Sequence, residues 1–221
     1  MSKRAVILSA VPVAAALGRY VQPGDFIVAC DAGYRNAARL GLQPDLIVGD
    51  FDSAPQPKTA QETIVLPHVK DDTDTQYAAR WLLEQGYDEI TLLGALGGAR
   101  LEHTLANLAT GLYLAKNGVS VLLADERSEL RFLTPGRALV LAHHDWKFLS
   151  LFPMEGTLTG VCLRGVYYPL EDAVLTAEYP LGVSNEFTAD TACLQCSSGC
   201  GVVVLTRDLS LIHISEPTRP I

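Results

Sequence analysis

Short apolar runs, separated by stretches of helical length, dominate the first 125 residues. AVILSA, FIVAC, LIVGD, TIVLP, ITLLG and VSVLLAD are nearly continuous in apolar residues and rich in β-branched side chains. Strands covered by helices on both faces read this way, because none of their positions meets water. Between them the spacing predicts helices over 34–40, 76–85 and 104–116, followed by Gly41, Gly86 and Gly118. Glycine just past the last turn is a common C-terminal signal. Beyond about residue 130 the texture changes. RALVLAH, KFLSLFP, TGVCLRGVYYP, ACLQC and GVVVLTR alternate, Pro and Gly punctuate them, and no helical stretch stands out. The expected fold is α/β: a doubly wound, mostly parallel, Rossmann-like sheet over 1–130, then a small all-β sandwich over 131–208. The boundary is expected near TPGR, 134–137.

Two segments need separate treatment. Lys3 and Arg4 followed by AVILSAVPVAAALG have the outline of a secretory leader. The likeness of 5–9 to the later runs argues instead for a first buried strand. At the other end, 209–221 (LSLIHISEPTRPI) breaks the style of the chain and resembles the translation of a sequencing adaptor. It is expected to be non-native, so His213 and Glu216 are set aside as site candidates.

Composition narrows the partners. A net charge of −8 disfavours broad attachment to nucleic acid or an anionic membrane. A 48% hydrophobic content suits a packed globule, and no apolar run is long enough to span a bilayer. Five cysteines, an odd number, fit a reducing, cytoplasmic setting.

The acids are placed informatively on this framework. Asp31 ends FIVAC, Asp50 ends LIVG, and Asp52 follows in GDFDS. An extended D-x-D pair points both carboxylates to one side, where they can grip one cation. Asp71, Asp72 and Asp74 crowd the start of the helix after TIVLP, with Thr73 and Gln76 at capping-box spacing. Glu102 and His103 follow the glycine-rich loop GALGGAR, whose Arg100 could clamp a phosphate. The acids therefore gather at strand carboxyl ends, the edge where such sheets bind ligands. Carboxylates alone repel a polyphosphate, whereas carboxylates with Mg²⁺ attract one. The pattern points to Mg²⁺-dependent chemistry on a nucleotide.

LGLQPDLIVGDFDS, KDDTDTQYA, GALGGARLEHTLAN, GVYYPL and GVSNEF closely resemble, in order, the motifs of bacterial thiamine pyrophosphokinase (thiamine diphosphokinase). The resemblance implies an α/β catalytic domain, a C-terminal β-sandwich and a homodimer with active sites between subunits. It also implies transfer of a pyrophosphoryl group from ATP to the hydroxyl of thiamine, giving thiamine diphosphate and AMP. By motif, Asp50, Asp52, Asp71 and Asp74 are the expected catalytic and metal-binding acids, with Glu102 joining the metal set. Asp31, Gly33, Lys70, Thr73, Arg100 and His103 are the expected nucleotide contacts, and Ser184 and Asn185 the expected thiamine contacts. Three departures stand out: Tyr34 replaces the second glycine of the family's Asp-Gly-Gly segment, Ala99 interrupts Gly-Gly-Arg, and Glu102 replaces an aspartate.

Rival readings keep the acids but change their use. A related diphosphokinase could act on another hydroxymethyl acceptor such as a pterin. A non-catalytic nucleotide or thiamine sensor would be expected to have lost its acids, which are all present. A phosphatase built on the D-x-D would carry it after its first strand. Cys193, Cys196 and Cys200 invite a metal reading, but a structural zinc needs four ligands. A hairpin, ACLQC-SSG-CGVVVLT, with buried thiols is expected instead. His143, His144 and Trp146 are read as a turn and a core or rim aromatic, and His68 is left unassigned.

Overall fold

The computed structural model describes residues 2–51, 62–66 and 72–208. Each apolar run of the first half forms a strand: β1 (Arg4–Leu8), β2 (Phe26–Cys30), β3 (Leu46–Gly49), β4 (Glu62–Val65), β5 (Glu89–Leu93) and β6 (Ser120–Ala124). All pair in parallel, in the order β4-β3-β2-β1-β5-β6. The order reverses between β1 and β5, so a crevice opens at their carboxyl ends. The helices are α1 (Gly33–Arg39), α2 (Asp74–Glu84) and α3 (Leu101–Lys116). α2 and α3 cover one face, over a core that includes Ile7, Leu46, Leu82, Leu92 and Leu114. On the other face α1 and a 3₁₀ turn, Ala15–Tyr20, enclose Val6, Leu8, Leu17, Ile27 and Leu93. The sequence placed a loop where that turn lies, since six residues starting beyond Pro12 carry too little period to signal it. Among the described residues no helix is long and apolar enough to cross a membrane.

The second half first extends the large sheet and then adds one of its own. β7 (Ser128–Leu133) turns back antiparallel on β6, and β13 (Gly201–Arg207) and β9 (Trp146–Pro153) follow, completing nine strands. The other strands, β8 (Leu139–Ala142), β10 (Thr157–Arg164), β11 (Leu170–Thr176) and β12 (Thr191–Gln195), form an antiparallel sheet ordered β11-β10-β12-β8. A second core between the two sheets holds Leu133, Leu149, Leu151, Leu158, Val161, Leu194, Val203 and Leu205.

Strand alternation explains how the shared layer works. In β13, Val202 and Val204 pack on the helix-side core while Val203 and Leu205 face the second one. Residue 130 falls inside β7. The expected ACLQC-SSG-CGVVVLT hairpin is corrected: β12 pairs with β10 and β8, whereas β13 pairs with β7 and β9, so 196–200 crosses between layers. β13 is apolar on both faces, which marks a central strand rather than the arm of a hairpin.

Candidate active site

Three carboxylates from separate elements converge at the carboxyl edge of the parallel sheet. Oxygens of Asp31, after β2, Asp50, after β3, and Asp74, opening α2, all lie within 4.8 Å of one another. Asp74 is 7% exposed, and the other two are half-buried. Like charges this close raise each other's electrostatic cost unless a cation relieves them.

The local backbone explains the convergence. Asp31 turns off β2 with φ +48°, and its N–H donates to the Val48 carbonyl at 2.9 Å. Phe51 sits at φ +56°, a strained conformation for a bulky residue, held just after Asp50. A Cβ on Gly49 would meet Asp31 Oδ1 at 2.6 Å, so glycine there admits the carboxylate.

Asp74 is set by the cap of α2. Thr73 Oγ1 accepts the Gln76 N–H at 3.1 Å, as the spacing predicted. The Gln76 side chain does not return the bond to Thr73; its Oε1 accepts from Thr110 of α3 at 2.8 Å. The Cys30 thiol donates to the Asp74 carbonyl, and Thr75 Oγ1 lies 3.1 Å from Ser9 Oγ after β1. Asp72 is drawn aside by Arg80, at 2.9 Å. Of the acids described at this helix start, Asp74 joins the cluster and Asp72 a surface ion pair.

Other expected site residues stand differently. Gly33 packs against β1, where an added Cβ would lie 1.9 Å from the Leu8 carbonyl oxygen. Arg100 and Glu102 form an exposed ion pair at 2.7 Å, which holds the Glu102 carboxyl below its usual range. The structure does not bring Glu102 to the three aspartates. His103 is exposed in the first turn of α3, its N–H on the Arg100 carbonyl. Asp52, Lys70 and Asp71 lie outside the described residues, as does His68.

The glycine loop between β5 and α3 is anchored by side chains the sequence reading passed over. Asn107 Nδ2 donates to the Ala95 carbonyl and Thr104 Oγ1 to that of Gly97. Buried Asn36 donates to the Ser9 and Val11 carbonyls and accepts the Val13 N–H, fixing the loop after β1. Their signal was a polar residue on an otherwise apolar helix face.

Ser184 and Asn185 lie at the far end of the large sheet. Asn185 is 5% exposed and bridges to Leu149 of β9. Its amide accepts from the Tyr168 N–H and donates to the Tyr168 carbonyl, at 2.9 and 2.8 Å. Ser184 is exposed at φ +57°, its N–H on Ser150 Oγ. Exposed Tyr167, Tyr168, Tyr179, Leu181 and Val183 belong to the same two loops.

Among the described residues the three cysteines join no metal-binding group. Cys196 is in the second core, and burial, with the Glu155 carboxylate beside it, pushes the Cys200 thiol up to about 11. A thiolate is the reactive form. Cys200 is therefore expected to react with a disulfide reagent at pH 8 far more slowly than a free cysteine. Fast labelling of Cys200 in the folded protein would contradict this.

The chain matches two family models: thiamin pyrophosphokinase, catalytic domain, over 17–123, and thiamin pyrophosphokinase, vitamin B1 binding domain, over 140–201. It is 26% identical over 187 residues to the thiamine pyrophosphokinase of Bacillus subtilis (strain 168), covering 82% of this chain and 87% of that one. The crystal structure of thiamin pyrophosphokinase from Geobacillus thermodenitrificans superposes with a TM-score of 0.83 at 26% identity, over 93% of this chain and 98% of that one. The Bacillus subtilis thiamine pyrophosphokinase structure gives 0.85 at 24% identity, over 94% and 100%. With both models matched in order, and with the acids gathered where the sheet binds ligands, the chain belongs to the thiamin pyrophosphokinase family.

Proposed function

We infer that the protein transfers a pyrophosphoryl group from ATP to the hydroxyl of thiamine, giving thiamine diphosphate and AMP. The observation that carries this is the meeting of Asp31, Asp50 and Asp74 within 4.8 Å in a chain of this family. The thiamine hydroxyl oxygen bonds to the β-phosphorus of ATP, and the bond from that phosphorus to the α-β bridging oxygen breaks, releasing AMP. Such transfer needs positioning and charge neutralisation more than covalent help.

The donor set suits a hard divalent cation, since all three groups offer carboxylate oxygens and Gly49 leaves room for them. Asp31, Asp50 and Asp74 would hold Mg²⁺, with Asp52 and Asp71 of the same motifs as further candidates. When bound, the ion neutralises charge on the phosphates. Asp74, fixed by the Thr73 cap, is placed to accept the hydroxyl proton. Backbone N–H groups of the Gly94–Gly98 loop and the α3 start line the path of the phosphates, and Arg100 reaches them by leaving its exposed pair with Glu102.

The two halves of the reaction lie far apart in one chain. Asn185 is beyond β9, seven strands from β2. At about 4.8 Å per strand this is on the order of 35 Å, more than thiamine and ATP bridge in line. A homodimer whose sites lie between subunits supplies both halves. The exposed Tyr167, Tyr168, Tyr179, Leu181 and Val183 in the loops of Ser184, and Leu101 and Leu105 in the first turns of α3, are suited to meet across that interface. The cytoplasm, where ATP and Mg²⁺ abound, is the fitting compartment.

Purified protein with thiamine, ATP and Mg²⁺ is expected to form AMP and thiamine diphosphate one for one, followed by chromatography; ADP in place of AMP would refute the reaction. The shared site has its own test. Mixed and re-associated Asp50→Asn and Ser184→Trp subunits, each weak alone, are expected to recover activity towards about a quarter of wild type. No recovery despite mixed dimers would place each site within one chain.

A further inference from the structure

The turn between β8 and β9, residues 143–145, takes no part in the reaction as derived, yet it meets the loop of Ser184 and Asn185. The His143 imidazole stacks on the Phe187 ring, with centroids 4.7 Å apart and planes 10° from parallel. The His143 N–H also donates to the Asp190 carbonyl at 2.9 Å, so the turn grips this loop at two points. We propose that His143 is a positioning residue for thiamine. By stacking on Phe187 it holds Ser184 and Asn185 in the conformation that receives the acceptor. The proposal rests on the pyrophosphoryl-transfer reading, in which those two residues contact thiamine, and adds what orients them.

The anchor itself is rigid. His144 turns with φ +45°, and the Trp146 N–H donates to the His143 carbonyl at 3.1 Å. Behind the turn, Trp146 is 4% exposed, and the Arg207 guanidinium carbon lies 3.7 Å from the centre of its ring. Arg207 Nε donates to Asp145 at 2.6 Å. A planar cation over an aromatic face, with a carboxylate at its edge, is a strong fastening. The His143 ring is therefore presented by a turn secured to β13, a strand shared by both cores. Phe187 packs against the second core, and His143 covers one face of its ring.

From Phe187 the restraint passes to the thiamine residues through the backbone. Phe187 bridges to Val166, the Tyr167 N–H donates to the Glu186 carbonyl at 2.9 Å, and the Thr188 N–H to that of Gly165 at 3.0 Å. The same two loops carry the Asn185 clamp on Tyr168. Residues 165–168 and 184–188 thus form one hydrogen-bonded piece. It is tied to β9 through Leu149 and Ser150, and to the 143–145 turn through Phe187. Strain gives this second tie a purpose. Ser184 sits at φ +57°, a conformation that a residue with a side chain keeps only where its surroundings impose it. A loop held at both ends imposes it; a loop held at one end is free to relax.

The test compares wild type, His143→Ala and His143→Phe, with thermal melting to check that each folds. Kinetics reads KM for thiamine and for ATP, and calorimetry reads the affinity for thiamine. In His143→Ala, KM for thiamine is expected to rise about three- to tenfold, with a matching loss of affinity, while KM for ATP keeps its wild-type value. His143→Phe retains a ring over Phe187 and is expected to bring KM for thiamine back to within about twofold of wild type. Hydrogen exchange at residues 185–188 should be faster in the alanine variant and restored in the phenylalanine one. An unchanged KM for thiamine in His143→Ala, an equal rise for both substrates, or a phenylalanine variant as impaired as the alanine one would overturn the proposal. A wild type that binds thiamine but releases no AMP would defeat the functional reading alone. The stack would then stand or fall by the thiamine affinities of the same three proteins.

Discussion

Replacing Asp50 with asparagine is expected to cut turnover by at least about a thousandfold, roughly 4 kcal/mol of barrier, while the melting temperature stays level or rises. The two signs share one cause. Three carboxylates within 4.8 Å repel one another, so removing one charge lowers that repulsion and offsets the loss of Asp50's own contacts. The same charge is what attracts a cation and, through it, a triphosphate. Asparagine keeps the size and one oxygen, so packing around Phe51 and Gly49 is preserved. Calorimetric melting alongside AMP release checks both halves. Near-normal turnover, or a large fall in stability, would show that Asp50 serves the fold rather than the reaction.

Gly33→Ala should do the opposite, damaging stability first. The methyl would lie 1.9 Å from the Leu8 carbonyl oxygen and 2.8 Å from its carbon, and neither backbone atom can move without displacing the end of β1. Helix α1 would have to shift off the sheet, at a cost of about 3 kcal/mol or more. For a chain of this size that is a fall of about 10 °C in melting temperature. A glycine contacting nucleotide without packing on β1 would show normal melting and a raised KM for ATP. Denaturation and kinetics on one preparation separate the two roles.

The α/β half was legible because its strands are buried on both faces, which writes them as unbroken apolar runs such as ITLLG. Their order across the sheet was not, since pairing is a long-range property that no local pattern carries. β7 (SELRFL) and β11 (LEDAVLT) were missed because charged residues interrupt them. In β7, Glu129 and Arg131 pair with each other at 3.0 Å, and Glu129 also accepts from Tyr20, so a strand that looked polar satisfies its charges inside the structure. The acids at strand ends were found by spacing. That Asp31 would stand with Asp50 and Asp74 depended on the left-handed turn at Asp31, which nothing in the sequence around it announces. Asn185 was legible as a motif but not as a clamp on Tyr168, because its partners are backbone groups 17 residues away.

One hydrogen-bonded ribbon runs unbroken from β4 to β9. Among the described residues the sheet therefore offers no hinge between the edge that gathers the acids and the edge that carries Ser184, so the sheet itself does not close on the substrates. Whatever seals water out during transfer must be supplied by loops or by a neighbouring copy. Hydrogen exchange should accordingly find the interior strands on either side of β6 opening together.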